Sequence, residues 1–399
     1  MSDTHIRAIN KTKSDFPIAT LSLIGLNVAV HATTAFLSAE DRGEFQKMFG
    51  LVAQNPHFLN MFTSSFLHND WIHLLLNMFF LWMFGRTLER ALGPLAYIML
   101  YVGSGLFAAV THLAIVYAFM PDAAMQPSLG ASGAIAGILG MYSIRFVRQR
   151  LHIFGSEMPA GLLLIMWLIL QIFLGVLSLY VPDPRLRIVD YWAHMGGFIF
   201  GMVVAQLTHM ATVGRKEYLI TDAEDSFRRG TLLDVVRKYE ALLTYDSTDS
   251  FANAELGRTW ALLDDEEQAV RYYSIAIDLY LKTNRGAEAA ARYRELMGIF
   301  RAAQIPADLM LGLGCHFEEA DRPRRAVEAL SKVCPPHAAG PDCEAALLRI
   351  AHIQLNRMER RDLASETLER FIETYPNSES LALAQDLLAS ARAESPPHN

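Results

Sequence analysis

Ser132 stands in Gly130-Ala131-Ser132-Gly133, within a run that carries no charge from Ala123 to Ile144. A serine hydroxyl is a weak nucleophile until a base takes its proton. His194, in Ala193-His194-Met195-Gly196-Gly197, is the histidine of a second apolar run that could act as that base. Such a pair can carry acyl transfer if packing, rather than an acid, orients the imidazole. No acidic residue lies at the matching depth of any apolar run, so the expectation is a dyad and not a triad. Acyl transfer also needs donors where the carbonyl oxygen becomes negative. His73 and Asn77 are spaced i, i+4 and would share one helix face. With the Ser132 backbone N–H at a helix start they make the expected oxyanion site.

These residues need a frame. A membrane span takes about 20 mostly apolar residues. Six stretches qualify or nearly so: Pro17–Leu37, Trp71–Leu88, Pro94–Met120, Pro127–Phe146, Pro159–Val181 and Tyr191–Met210. Basic residues set orientation. Lys11 and Lys13 precede the first span, and Arg86 and Arg90 lie between the second and third. Arg145, Arg148 and Arg150 lie between the fourth and fifth, and Arg215 and Lys216 follow the sixth. Segments Ser38–Asp70 and Pro121–Gln126, on the other side, are acidic or near neutral; Pro182–Asp190 departs from this, with Arg185 and Arg187 against two aspartates. Both termini are therefore expected inside. In this topology His73, Asn77, Ser132 and His194 all fall within about 10 Å of the outer surface.

A lone serine in a span more often bonds back to its own helix, and a lone histidine such as His31 or His112 more often packs between helices. Agreement in depth among residues of three different spans favours a site over scattered core polars. Gly133-x-x-x-Gly137 and Gly197-x-x-x-Gly201 add to this. Small residues four apart let two helix backbones approach closely. A short serine side chain needs that approach to reach an imidazole on another helix.

His73-Leu-Leu-Leu-Asn77, Gly130-Ala131-Ser132-Gly133 and Ala193-His194-Met-Gly-Gly197-Phe-Ile-Phe-Gly201 resemble the three signature motifs of rhomboid intramembrane serine proteases. The resemblance covers roughly residues 15–212 and includes the order of the motifs. It implies a six-helix core that cuts transmembrane segments of other proteins, with Ser132 as nucleophile and His194 as general base. It implies that His73, Asn77 and the Ser132 N–H hold the oxyanion. His68 matches a recurrent histidine of the family's first outer loop, and Gly130 the first glycine of the serine motif. Many members carry a Trp-Arg pair in that loop; here Leu59-Asn60 stands where it would fall, before Phe62-Thr63. That departure is expected to weaken the loop or substrate handling, not the chemistry. The long, fairly apolar loop Ser38–Asp70 fits an amphipathic segment in the outer leaflet. A catalytically silent rhomboid-like client binder or scaffold is the alternative, disfavoured by the intact Ser132 and His194. A small transporter lacks support, with no internal repeat in the spans and no charged midplane residue.

From about Thr221 the pattern becomes helical and polar-faced. Leu256-Gly257, Trp260, Ala269, Tyr273 and Ala276 fall at the offsets of a tetratricopeptide unit. So do Leu313-Gly314, Phe317, Ala326, Leu330 and Val333, and then Ala351, Leu355, Ala364, Leu368, Phe371 and Pro376. Val235, Tyr239 and Leu242 form an earlier half-unit, 34 residues before in the case of Val235 and Ala269, which is the period of this repeat. The stretch Ala287–Phe300 does not fall cleanly into the frame. An unrelated helical bundle is the alternative.

The expected class is thus all-α: a six-transmembrane-helix bundle, then a soluble helical-repeat domain. The expected division is 1–16 as a cytoplasmic tail, 17–212 as the membrane domain, 221–392 as cytoplasmic repeats and 393–399 as a disordered tail. The net charge of −7, with no long basic block, argues against nucleic acid. Cys315, Cys334 and Cys343 cannot all pair internally and make no CxxC, which suggests reduced thiols and no metal site. No cleaved signal peptide is expected. Expected partners are transmembrane substrates, membrane lipid and a protein or peptide bound by the repeats; no cofactor is expected. The expected location is a bacterial cell (inner) membrane.

Overall fold

The structure, a computed structural model, describes residues 16–153, 155–181, 189–335 and 338–393. The expected tails, apart from Phe16 and Ala393, and most of the loop carrying Arg185 and Arg187 lie outside the described residues. The fold is all-α, with two small antiparallel ribbons. It divides into one unit ending at Glu217 and a second beginning at Tyr218.

In the first unit, α1 (Ile18–Ala35) begins against a buried carboxylate. Both Glu89 oxygens are engaged: they accept from the Ala19 N–H (2.9 Å), the Thr20 N–H (2.8 Å) and the Thr20 hydroxyl (2.7 Å). An acidic side chain here satisfies the orphan donors of a helix N-terminus. The helix α2 (Ala39–Phe49) follows, capped by Ser38. It is strongly charged and buries none of its residues. Strand β1 (Leu51–Val52) comes next. Asn60 is buried, and its amide donates to the carbonyls of Met48 (3.1 Å) and Gly50 (2.9 Å). Thr63 adds a bond to the Phe49 carbonyl at 2.6 Å. The loop expected to be weakly held at Leu59-Asn60 is therefore tied by Asn60 itself.

The remaining membrane-half elements are α3 (Trp71–Leu92, with a π-helical turn at Leu81–Gly85), α4 (Pro94–Phe119), β2 (Pro127–Ser128), α5 (Ser132–Arg145), the ribbon β3–β4 (Arg150–Ile153, Ser156–Pro159), α6 (Ala160–Tyr180) and α7 (Tyr191–Leu207). By length and composition, α1, α3, α4 and α6 can each cross a membrane. The helix α7 can do so only with α8 (Met210–Arg228), from which it is bent by 70°.

The fourth expected span is corrected. It was placed at Pro127–Phe146, but α5 has 14 residues and starts at Ser132. Two features consume the start of the run: Pro127–Ser128 pairs with Leu51–Val52, and Gly130 takes φ +126°. The helix is buried along most of its length among the others, with Ile138, Leu139 and Tyr142 fully enclosed. A helix so enclosed has little need of the length that lipid contact demands. By contrast α6 exposes Ile165, Met166, Ile169 and Phe173, as a lipid-facing helix should.

The second unit is a succession of antiparallel helices: α9 (Leu232–Leu243), α10 (Ser250–Leu262), α11 (Glu266–Lys282), α12 (Gly286–Ile299), α13 (Ala307–Glu319), α14 (Pro323–Val333), α15 (Pro341–Asn356), α16 (Arg361–Thr374) and α17 (Leu381–Arg392). The small-residue positions of the repeat explain the pairing. A β-carbon on Gly257 of α10 would lie 2.8 Å from the Tyr273 ring of α11. One on Gly314 of α13 would lie 2.6 Å from Leu330 of α14. Tyr273, Leu330, Ala364, Leu368 and Phe371 are fully buried in the same way. The stretch that left the frame forms α12, burying Ala289, Tyr293 and Leu296. Cys334 and Cys343 are joined as a disulfide across the α14–α15 connection, their Cα atoms 4.7 Å apart. That corrects the expectation of reduced thiols: the end of α14 and the start of α15 lie close enough for the two to pair. Cys315 remains free.

Candidate active site

The side chain of Asp70 caps α3 by accepting from the His73 N–H at 2.8 Å. That fixes the first turn, and one turn on, Asn77 is buried on the same face. One Asn77 amide proton goes to the His73 carbonyl at 3.1 Å, which leaves its second N–H uncommitted. His68 is buried with its ring edge-on to His73, centroids 5.1 Å apart, and His31 of α1 stands behind it at 6.2 Å.

Gly130 joins this helix to the serine. Its N–H donates to the Ser64 carbonyl at 2.9 Å, and its φ of +126° is closed to most side chains. A β-carbon there would lie 2.9 Å from His73 Cε1 and 3.5 Å from Ser132 Oγ. The bare backbone lets the imidazole of His73 rest beside the serine. Ser132 is the first residue of α5 rather than five residues inside a span. Its N–H belongs to the first helical turn, where no i−4 carbonyl is available within the helix.

His194 lies in the first turn of α7, whose cap is Asp190. One Asp190 oxygen accepts from the Ala193 N–H at 3.0 Å. The other accepts from the Ser128 hydroxyl at 2.8 Å and meets His112 Nδ1 at 2.5 Å. The Ser132 approach, α4 and α7 are thereby fastened at one point.

The glycines bring α5 and α7 together backbone to backbone. A β-carbon on Gly197 would overlap the Gly133 carbonyl oxygen, and one on Gly201 would overlap that of Gly137. On the other face of α5, Gly133 meets Ala108 of α4, where a β-carbon would stand at 2.6 Å. His194 is buried, and its Nδ1 is 2.8 Å from Gln171 Oε1 on α6. Its Nε2 has no hydrogen-bond partner among the described residues.

Ser132, His194, His73 and Asn77 all border one cavity of about 410 Å³. Its wall is otherwise mostly apolar and includes Trp167 of α6, with Asp70 and Asp190 as the carboxylates among its lining residues. His68, Gly130, Gly133, Gly197 and Gly201 stand behind it as described. A hydroxyl, an imidazole with an unpartnered nitrogen and further N–H donors at one cavity make a set suited to acyl transfer. Among the described residues no group of three His, Cys, Asp or Glu is placed to hold a metal ion. Two residues escaped the sequence reading. Gln171 was visible only as an amide inside an apolar span, and Asn60 only as an unremarkable loop residue.

Residues 55–211 match the Rhomboid domain model, and residues 345–378 match a Tetratricopeptide repeat. The chain is 30% identical over 190 residues to Rhomboid protein 1, mitochondrial, of Saccharomyces cerevisiae, covering 46% of this chain and 51% of that protein. It is 30% identical over 172 residues to Presenilin-associated rhomboid-like protein A, mitochondrial, of Danio rerio, covering 42% of each. It is 32% identical over 141 residues to RHOMBOID-like protein 5 of Arabidopsis thaliana, covering 35% of this chain and 41% of that protein. The chain thus spans about half or less of the length of these relatives. The crystal structure of MamA protein aligns with 46% of this chain and 98% of its own, at 14% identity and a TM-score of 0.23, too low to carry an argument. The rhomboid match spans the cavity and the helices around it, with several apolar helices long enough to cross a bilayer. The chain is a multi-pass integral membrane protein that carries a Rhomboid domain over residues 55–211 and a tetratricopeptide-like region near its C-terminal end.

Proposed function

We propose that this protein is an intramembrane serine endopeptidase that cuts transmembrane segments of other membrane proteins near the outer face of the bilayer. The observation that carries this reading is the shared cavity: Ser132 at a helix N-terminus, the open Nε2 of His194 and the ring of His73 all border it. A substrate helix enters sideways from the lipid and unwinds near its outer end. Ser132 Oγ attacks the exposed carbonyl carbon while His194 Nε2 takes the hydroxyl proton. The oxyanion is held by the Ser132 N–H, His73 and the second N–H of Asn77. His194 then gives its proton to the leaving amine, and water admitted from the outer side hydrolyses the acyl-enzyme. His68 supports His73 from behind. The chemistry needs no metal or cofactor.

The repeat region, with both termini on the cytoplasmic side, recruits a substrate's cytosolic part or an adaptor. Helical repeats suit peptide and protein binding, and lipid supplies the medium in which the substrate arrives.

A fluorophosphonate probe tests the nucleophile. Wild-type protein should be labelled at Ser132, with labelling lost in Ser132→Ala and strongly reduced in His194→Ala. Labelling that survives Ser132→Ala removes the proposal.

A further inference from the structure

We infer that Gln171 is a positioning residue for His194, its side-chain carbonyl fixing the imidazole tautomer that leaves the Nε2 lone pair free to take the Ser132 proton. The inference rests on the protease reading above and concerns how its base is oriented.

The helix α6 is uncharged from Ala160 to Tyr180 and buries two polar side chains, Gln171 and Ser178. Ser178 is accounted for within its own helix, its hydroxyl donating to the Gly175 carbonyl at 2.7 Å. Gln171 instead reaches across to α7, where Oε1 meets His194 Nδ1 at 2.8 Å. Both residues are buried, at 7% and 8% exposure, so neither can exchange this bond freely for water. A buried amide in an apolar span is costly unless it is bonded, which makes the contact a structural commitment.

The direction of the bond follows from its atoms. A carbonyl oxygen only accepts, so the proton must sit on Nδ1. A neutral imidazole then carries its lone pair on Nε2, the nitrogen with no other partner among the described residues. That is the protonation state a general base requires.

The helix is held so that Gln171 stays in reach. Trp192 of α7 donates to the Gly175 carbonyl at 3.2 Å, one turn towards the outer end. One turn the other way, Trp167 lies against the His194 ring (centroids 6.2 Å) and against Phe198 (5.6 Å). Of the two carboxylates that line the cavity, Asp190 is taken up by Ala193, Ser128 and His112, and Asp70 caps the His73 N–H. An amide therefore stands where a serine triad has its acid. It can fix the tautomer but offers no negative charge to the imidazolium that forms.

The test uses the full chain in detergent with Gln171→Met, which removes the acceptor at similar volume, and Gln171→Glu, which keeps it and adds charge. Side-chain nitrogen NMR, assigned by the signal lost in His194→Phe, should find Nδ1 protonated in wild type and the Nε2–H form gaining in Gln171→Met. On a model transmembrane substrate, kcat of Gln171→Met should fall about tenfold or more at little changed KM, as expected when a general base is partly misdirected. Gln171→Glu should recover most of that kcat and raise the pH at which the acid limb of kcat appears. The other titratable groups at this cavity, Asp70, His73 and Asp190, are the same in every variant. A wild type protonated on Nε2, or a Gln171→Met with unchanged tautomer and kcat, overturns the inference. So does an equal loss in both variants with no move of the pH limb, the mark of a packing role. If Gln171→Met does not fold, Gln171→Glu and the wild-type spectrum still decide. Should wild type neither label nor cleave, the protease reading falls, while the tautomer still reports on the Gln171–His194 bond.

Discussion

Gly130 has the most restrictive backbone at the cavity. Its φ of +126° and the 2.9 Å approach of His73 leave no place for a methyl group. Gly130→Ala should therefore push His73 away from Ser132 and abolish fluorophosphonate labelling, with backbone strain of about 1–3 kcal/mol lowering thermal stability. Retained labelling at wild-type rate would show that His73 need not sit there. Glu89 makes a separate prediction about stability. Replacing it by Ala strands the Ala19 and Thr20 donors and should cost about 2–4 kcal/mol, several degrees in a detergent melting curve, since each buried donor left unmatched carries its own penalty. Ser132, His194, His73 and Asn77 could be singled out in the sequence because each is a polar group in an apolar run. Gln171 shared that property, yet its partner lies 23 residues away on another helix, and no local pattern announces such a bond. Glu89, 70 residues from Ala19, was hidden for the same reason.

The α5–α7 pair depends on the absence of side chains at Gly197 and Gly201. Gly201→Leu would force Leu atoms into the Gly137 backbone and separate the two helices. The expected result is loss of folded protein or, where it folds, loss of Ser132 labelling together with a lower melting temperature. A stable, fully labelled variant would mean the close approach is dispensable. This pairing was readable from the four-residue spacing of the glycines, because small-residue periodicity is a direct imprint of backbone contact. The start of α5 was not readable. The apolar run continues smoothly through Pro127–Leu129, and only a tertiary event, the β1–β2 pairing, withdraws those residues from the helix. The first outer loop shows the same limit. Asn60 bonds two carbonyls 10 and 12 residues away, so Asn60→Ala should loosen the loop and speed its limited proteolysis. Cleavage no faster than in wild type would show that Thr63 alone suffices. In the repeats, by contrast, Gly257 against Tyr273 and Gly314 against Leu330 were legible from small–large spacing, while α12, lacking that pattern, was not placed in the frame.

On the scale of the whole molecule, a membrane half and a charged helical half follow from composition alone, since a bilayer and water select opposite surfaces. Sidedness is the proposal that the free cysteine can test. With the repeat region cytoplasmic, a membrane-impermeant maleimide should leave the half-buried Cys315 unlabelled in intact cells and label it after permeabilisation; labelling in intact cells would contradict the cytoplasmic placement. The central claim, that Ser132 and His194 cut a peptide bond inside the membrane, is tested most directly by reconstituting the full chain in proteoliposomes with a single-span substrate. Mass spectrometry of the products should locate a cut within the outer part of the substrate's span, present with wild type and absent with both Ser132→Ala and His194→Ala. An identical cut made by either variant, or no cut by folded wild type on any of a panel of spans with helix-breaking residues near their outer ends, would contradict it.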